Sequence, residues 1–269
     1  MEKEFLLGNE AIAQAAIAAD VRIVTSYPGT PSSEIGTVFS KLKKDSGIYF
    51  EYSTNEKVAV EIAAAAALAG LRSMAIMKHV GVNVASDPMM SIPYCGIVGS
   101  MVLISADDPS CHSSQNEQDN RTYARFFNIP MLEPSSVQEA ADMMAVAFEV
   151  SHQVTLPVLY RTTTRLNHAR GLAQIPETKK VEQRAEFIRD PRYIERPDAH
   201  SRLLERMARA AQLSEDSPLN FEVRFGDEKD PEVGFITSGV SYGYTCDVIK
   251  RYGLATRVLK LGFSYPLPE

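Results

Sequence analysis

The chain has 269 residues, long enough for one large domain or two ordinary ones, so its core needs no disulfide or metal staple. Hydrophobic residues make up 45% and charged residues 23%, which excludes a disordered or coiled-coil chain. A formal net charge of -6, from 28 basic and 34 acidic side chains, gives no field that would gather a polyanion, and nucleic acid is not an expected partner.

The three cysteines, Cys95, Cys111 and Cys246, have no C-x-x-C spacing for zinc or an iron-sulfur cluster and read as reduced thiols. MEKEFLLGNEAIAQAA lacks a signal-peptide pattern, and nowhere do about 18 uncharged apolar residues run together. A cytoplasmic chain without membrane contact is expected.

The alanine-rich pattern over residues 9–19 predicts a helix, and the apolar run over 21–26 predicts a buried strand. Helix 31–44, strand 48–52, helix 56–70 and strand 73–77 follow, then helix 83–92 and strand 98–105. Helices over 117–127 and 135–152 precede a strand over 156–160. Short runs buried on both faces, alternating with helices, predict an α/β fold with a doubly wound parallel sheet in residues 1–165.

Residues 166–230 shift to charged, proline-bearing text such as PETKKVEQRAEFIRDPRYIERPD and are expected as a connector with one helix over 200–213. A second α/β pattern opens at 231 with the strand EVGFITSG, a helix over 242–252 and the strand ATRVLKLG, before FSYPLPE. Two strands and one helix cannot cover a parallel sheet, so the 231–269 unit is expected to be incomplete and the polypeptide a piece of a longer one.

Ligands of such sheets bind beyond the carboxyl ends of the strands, and four loops there are unusual. In Ser26-Tyr27-Pro28-Gly29-Thr30-Pro31, a rigid turn can present Thr30 to a ligand, or Pro31 can simply open a helix. In Ser53-Thr54-Asn55-Glu56, Glu56 stands where an active-site carboxylate often stands, but Ser53-x-x-Glu56 is also a capping box. The alanines from Ala63 to Ala67 suit a tightly packed layer or a subunit interface. Lys78-His79-Val80-Gly81-Val82-Asn83 offers a His and an Asn around a glycine, either for a ligand or for ordinary structural hydrogen bonds. The polar stretch from Ser105 to Arg121, with His112, Gln115 and Asn116, is costly to order unless a ligand or partner uses it. Arg121 and Arg125 are candidates for an anion only by their place beside it. Signatures for nicotinamide, nucleotide triphosphate, serine hydrolysis and zinc proteolysis are missing.

Together, LLGNEAIAQAAIAADV, TSYPGTPSSEI, NEKVAVEIAAAAALAG, MKHVGVNVASDP and SADDPSCHSSQNEQDNR resemble the N-terminal portion of indolepyruvate ferredoxin oxidoreductase alpha subunits. These belong to the thiamine-diphosphate-dependent 2-oxoacid:ferredoxin oxidoreductases. The resemblance covers residues 1–165 and implies a pyrimidine-binding α/β domain, with GFITSG starting a transketolase C-terminal-like domain.

It also implies the chemistry. A glutamate matching Glu56 hydrogen-bonds the cofactor's aminopyrimidine and favours the imino tautomer that removes the thiazolium C2 proton, after which the cofactor attacks a 2-oxoacid. Thr30 matches a position against cofactor and substrate. His79, Gly81 and Asn83 are expected in the cofactor pocket, and Gly29, Thr30, His112, Gln115 and Asn116 beside the substrate. Y-P-G-T-P stands where simpler 2-oxoacid enzymes more often have Y-P-I-T-P, so Gly29 either enlarges the site for an aryl group or serves the turn alone.

Implied cofactors are thiamine diphosphate with magnesium, the diphosphate and metal being held outside these residues because FGDEKD is no G-D-G motif, and iron-sulfur clusters in a further C-terminal part. No metal ligand is expected within the chain. Implied partners are an arylpyruvate, coenzyme A, ferredoxin, a beta subunit and a second copy of the chain. The alternatives are another thiamine-dependent 2-oxoacid oxidoreductase or decarboxylase, or a noncatalytic assembly domain.

Overall fold

The computed structural model describes residues 3–194, 196–226 and 231–269. Of the FGDEKD segment, residues 227–230 lie outside the described residues. In chain order, β1 (Glu4–Leu7) leads into α1 (Gly8–Ala18), β2 (Ile23–Ser26), α2 (Ser33–Ser40), β3 (Tyr49–Tyr52) and α3 (Glu56–Leu68). Then come β4 (Arg72–Lys78), α4 (His79–Val84), α5 (Ser86–Cys95), β5 (Ser100–Asp107) and α6 (Arg121–Phe127). β6 (Met131–Leu132), α7 (Val137–Val154), β7 (Val158–Thr163), α8 (Thr164–Asn167) and β8 (Arg170–Ala173) follow. The remainder is α9 (Ala199–Glu215), β9 (Phe221–Phe225), β10 (Gly234–Ser238), α10 (Ser241–Tyr252), β11 (Thr256–Leu261) and β12 (Phe263–Tyr265).

The main sheet has seven strands in the order β12-β6-β7-β5-β4-β2-β3, and all its pairs are parallel except β12 with β6. Its central strands are buried because helices cover both faces: every residue of β5 and of β7 is buried, whereas no residue of the edge strand β3 is. On one face α1, α2 and α7 pack through Ile12, Ile35, Phe39, Met144 and Phe148. On the other, α3, α5 and α6 pack through Val60, Met89, Ala124 and Phe127. The doubly wound α/β architecture read from the sequence is present, with an antiparallel edge strand added.

Several elements differ from the sequence expectation. β1 pairs antiparallel with β8 as a two-stranded ribbon, and β6 has only two residues, too short to leave a period in the sequence. Phe263–Tyr265 does not trail away; it returns to the main sheet as β12. The helix expected over 83–92 is two helices, α4 and α5, and α4 already begins at His79. The helix expected from residue 117 begins at Arg121; the preceding residues are held in a loop, with Asn120 N–H on Asp107 at 3.0 Å and the Glu117 carboxylate accepting from Ser110 N–H at 3.0 Å.

In the charged 166–230 stretch, α9 docks on α5 and α7 through Leu203, Arg206 and Ala210. The Arg206 guanidinium donates to the carbonyls of Pro93, Tyr94 and Cys95 at 3.1–3.2 Å, closing the last turn of α5 with a cation. β9 joins β10 and β11 in a separate three-stranded sheet covered by α10, with β9 antiparallel and β10 parallel to β11. Among the described residues no helix is long and apolar enough to cross a membrane.

Candidate functional site at the sheet switch point

β2 lies between β3 and β4, so the chain winds one way from β2 to β3 and the other way from β4 onward. At such a switch point the loops leaving neighbouring strands diverge and open a crevice beyond their carboxyl ends. The crevice between β2 and β4 is flanked by the turn Tyr27–Ser32 on one side and by Lys78 and α4 on the other.

The turn is held from behind. Ser32 donates its backbone N–H and its hydroxyl to the Gly29 carbonyl at 2.9 and 2.8 Å, and the Thr30–Pro31 peptide is cis. Fully buried Asn9 donates to the Pro31 carbonyl and to Glu34, both at 2.7 Å, and accepts from Asn167. Thr30 itself is exposed, and its carbonyl receives the Ser113 hydroxyl at 3.4 Å, which brings the polar stretch against the turn. A Cβ on Gly29 would stand 2.8 Å from Cδ and 2.9 Å from Cγ of Lys78. The room left by this glycine is therefore filled by the lysine stem and does not widen the site by itself.

Glu56 is the first residue of α3 and is 7% exposed. The capping box it might have formed with Ser53 is absent. Asn55 is the N-cap and accepts from Val58 N–H at 3.0 Å, while the Ser53 hydroxyl donates to Glu51 at 2.8 Å. Among the described residues Glu56 makes no hydrogen bond or ion pair, and its carboxyl oxygens are not among the buried atoms without a partner, so little of the residue is exposed but its carboxyl reaches the opening. α3 sits close to the sheet because alanines 59, 63, 64 and 67 face inward. Thr25 and Ser73 also donate to the Ala59 and Ala63 carbonyls at 2.7 Å.

Across from Glu56, a Cβ on Gly81 would meet its Cγ and Oε1 at 2.6 Å, so only glycine lets α4 approach the carboxyl this closely. His79, two residues earlier, is fully buried. Its Nε2 lies 3.2 Å from the Asn116 carbonyl, its Nδ1 has no partner, and its carbonyl receives Asn120 Nδ2 at 3.0 Å.

Gly29, Thr30, Glu56, His79, Gly81 and Asn116 thus gather around the crevice. Asn83 is exposed and accepts from the Tyr123 hydroxyl, on the far turn of α4. His112 and Gln115 are exposed on the polar stretch, which reaches the crevice through Ser113 and Asn116. Arg121 is engaged by Asp119 at 2.5–3.0 Å, and that carboxylate raises the guanidinium's pKa further. Arg125 borders a different hollow with Ser264 and Tyr265.

Sequence reasoning missed the support beneath the site. Asp107, at the end of β5, accepts from Arg161 at 2.7 Å and from Ser105 at 2.9 Å, and Arg161 also pairs with Glu133. Glu133 accepts from Ser238 at 2.8 Å, which ties β10 to the main sheet. Asp108 is buried, which raises its pKa, but hydrogen bonds from Thr164 at 2.7 Å and Ser113 N–H at 2.8 Å hold it well below the usual carboxylate range. Ser105 and Ser113 lie within the polar stretch, but Glu133, Arg161, Thr164 and Ser238 come from distant elements and leave no local pattern. Among the described residues, no three His, Cys, Asp or Glu side chains gather as a metal site.

Among the described residues, the switch point brings together a carboxyl without a protein partner, a glycine packed directly on it, and a buried imidazole nitrogen without a partner. Residues 14–224 match the family described as pyruvate flavodoxin/ferredoxin oxidoreductase, thiamine diphosphate-binding. Indolepyruvate oxidoreductase subunit IorA of Methanothermobacter marburgensis is 48% identical over 99% of this chain, and that of Archaeoglobus fulgidus 47% over all of it. The chain spans 44% of the length of either relative. The 2-oxoglutarate synthase subunit KorA of Archaeoglobus fulgidus is 26% identical, with 83% of its length covered.

The 2-oxoglutarate:ferredoxin oxidoreductase of Magnetococcus marinus, solved with 2-oxoglutarate, coenzyme A and succinyl-CoA, shares the fold. Its TM-score is 0.76 over all of this chain and 55% of that one, at 15% identity. The chain belongs to the pyruvate flavodoxin/ferredoxin oxidoreductase family and carries its thiamine-diphosphate-binding domain.

Proposed function

We propose that this chain supplies the pyrimidine side of an enzyme that oxidatively decarboxylates arylpyruvates such as indolepyruvate to acyl-CoA and passes the electrons to ferredoxin. The observation that carries it is Glu56, a carboxyl at the switch point on a residue only 7% exposed, with no capping duty and no protein partner among the described residues. Bound thiamine diphosphate supplies the electron sink that makes loss of carbon dioxide from a 2-oxoacid feasible. Glu56 is placed to share a proton with a ring nitrogen of the aminopyrimidine, because no protein group among the described residues competes for its carboxyl.

Gly81 leaves room for the Glu56 side chain against α4, and His79, fixed by Asn116 and Asn120, keeps one imidazole nitrogen for the ligand. Thr30 and Gly29 border the reacting end, Asn83 the outer rim, and His112, Gln115 and Asn116 the substrate approach. Residues 1–165 form the body of the pyrimidine-binding domain, to which β8, α9 and β12 add, and β9 with residues 234–261 forms the start of a further α/β domain. The magnesium and diphosphate are held outside these residues, and iron-sulfur clusters lie in a further part of the protein. A beta subunit, coenzyme A, ferredoxin and a second copy of the chain complete a cytoplasmic enzyme. The indolepyruvate assignment is supported by relatives at 47–48% identity, against 26% for the 2-oxoglutarate one.

The test is Glu56→Gln in the complete enzyme. Loss of the proton relay is expected to lower kcat by about 100-fold or more. Turnover unchanged by the substitution would refute the role of Glu56 and leave a noncatalytic assembly domain as the better reading.

A further inference from the structure

We propose that Lys78 holds the carboxylate of the substrate 2-oxoacid, an inference that rests on the crevice being the reaction site. Lys78 is the last residue of β4, on the wall of the crevice facing the Gly29–Thr30 turn. Its methylenes fill the space that a side chain at position 29 would take, so the glycine and the lysine form one feature. The stem is thereby pinned between β2 and β4, next to His79 and one helical turn from the Gly81–Glu56 contact.

Lys78 is half-buried, and among the described residues its ammonium has no hydrogen bond and no ion pair. What is buried of Lys78 is its stem against Gly29, so the ammonium is held in place where an entering carboxylate meets a cation with no competing protein partner among the described residues. Glu56 does not act as that counter-ion, although it lies on the same crevice. The two arginines nearby are otherwise placed: Arg121 is bound by Asp119, and Arg125 borders the hollow beside Tyr265. Lys78 is thus the basic side chain of the crevice wall left for a carboxylate.

The chemistry constrains how this shows in kinetics. An ammonium stabilises the carboxylate of the bound substrate and gives no help once carbon dioxide, which is neutral, departs. Removing it weakens binding without slowing the chemical step, so KM rises while kcat holds or increases.

The experiment uses the full-length protein with its partner subunits, loaded with thiamine diphosphate. Calorimetry compares indole-3-propionate, a carboxylate without the reactive ketone, with its neutral amide. Wild type is expected to prefer the carboxylate by roughly 10- to 100-fold. Lys78→Met and Lys78→Gln should abolish the preference, Lys78→Arg should retain it, and thiamine diphosphate affinity should stay unchanged in all three. A preference that survives in Lys78→Met and Lys78→Gln, or that wild type lacks, overturns the proposal, as does a loss of cofactor affinity in place of carboxylate preference.

Turnover of indolepyruvate in the same preparations separates the two readings. A Lys78-dependent preference without turnover defeats the proposed reaction and leaves the anion site standing. Turnover lost in Glu56→Gln but with KM unchanged in Lys78→Met defeats the anion site alone.

Discussion

The two larger sheets of this protein are built from similar apolar runs but differ in what covers them. In the main sheet β5 and β7 are buried along their whole length between two helical layers. In the small sheet β10 is largely exposed, with Ile236 at 73%, and α10 covers one side. The candidate site belongs to the first. Its loops start from strands that cannot shift without disturbing a packed core, which is what holding a carboxyl against a glycine at contact distance requires. The small sheet reaches the site only indirectly, through Ser238 on Glu133 and Glu133 on Arg161.

The sharpest way to break this contrast is a cavity in the main core. Phe148→Ala on α7 removes a fully buried ring that also lies under the Arg72 guanidinium, and is expected to cost about 3–5 kcal/mol in denaturant unfolding. A cost near that of a surface substitution would mean that α7 does not pack as described.

Gly81→Ala should have an intermediate effect, about 1–3 kcal/mol, because the new methyl overlaps Glu56 and forces α3 and α4 apart. In the complete enzyme its loss of activity should exceed its loss of stability. Proportional losses would mean that Gly81 serves packing only.

A smaller change concerns the anchoring of the polar stretch. The folded pKa of Asp108 lies below its unfolded value, so its contribution is fully present above about pH 4 and fades as the pH falls toward the folded pKa. Amide protection at Ser113, whose N–H binds Asp108, should decline over that acid range, and protection independent of pH there would contradict the anchor. The smallest effect should be at the other end of the comparison. Ile236→Ala is expected to change unfolding by no more than about 0.5 kcal/mol, and a larger loss would show that a partner covers β10 in the protein studied.

The central strands and the helices beside them were legible because burial on both faces leaves contiguous apolar text, as in MVLISA of β5. β6, β8 and β12 were not, since strands of two to four residues are made by their partners and not by their own pattern. The site shows the same division. Glu56 could be singled out from its place after a strand, but Ser53-x-x-Glu56 read equally well as a cap. Asn55 turned out to be the cap because its side chain reaches Val58 N–H. Gly29 read equally as an enlargement of the site or as a turn residue, and only the structure shows the Lys78 stem lying across it.

The sequence by itself determined the alternation of strands and helices and the loops where polar side chains collect, because hydrophobic periodicity and turn chemistry act over a few residues. Only the tertiary structure decided which loops meet. The winding of the sheet places the loops after β2 and β4 on either side of one crevice and leans α4 on Glu56. It also sets Lys78 there without a counter-charge. Contacts between residues dozens of positions apart depend on strand order, and no local pattern of residues encodes that order.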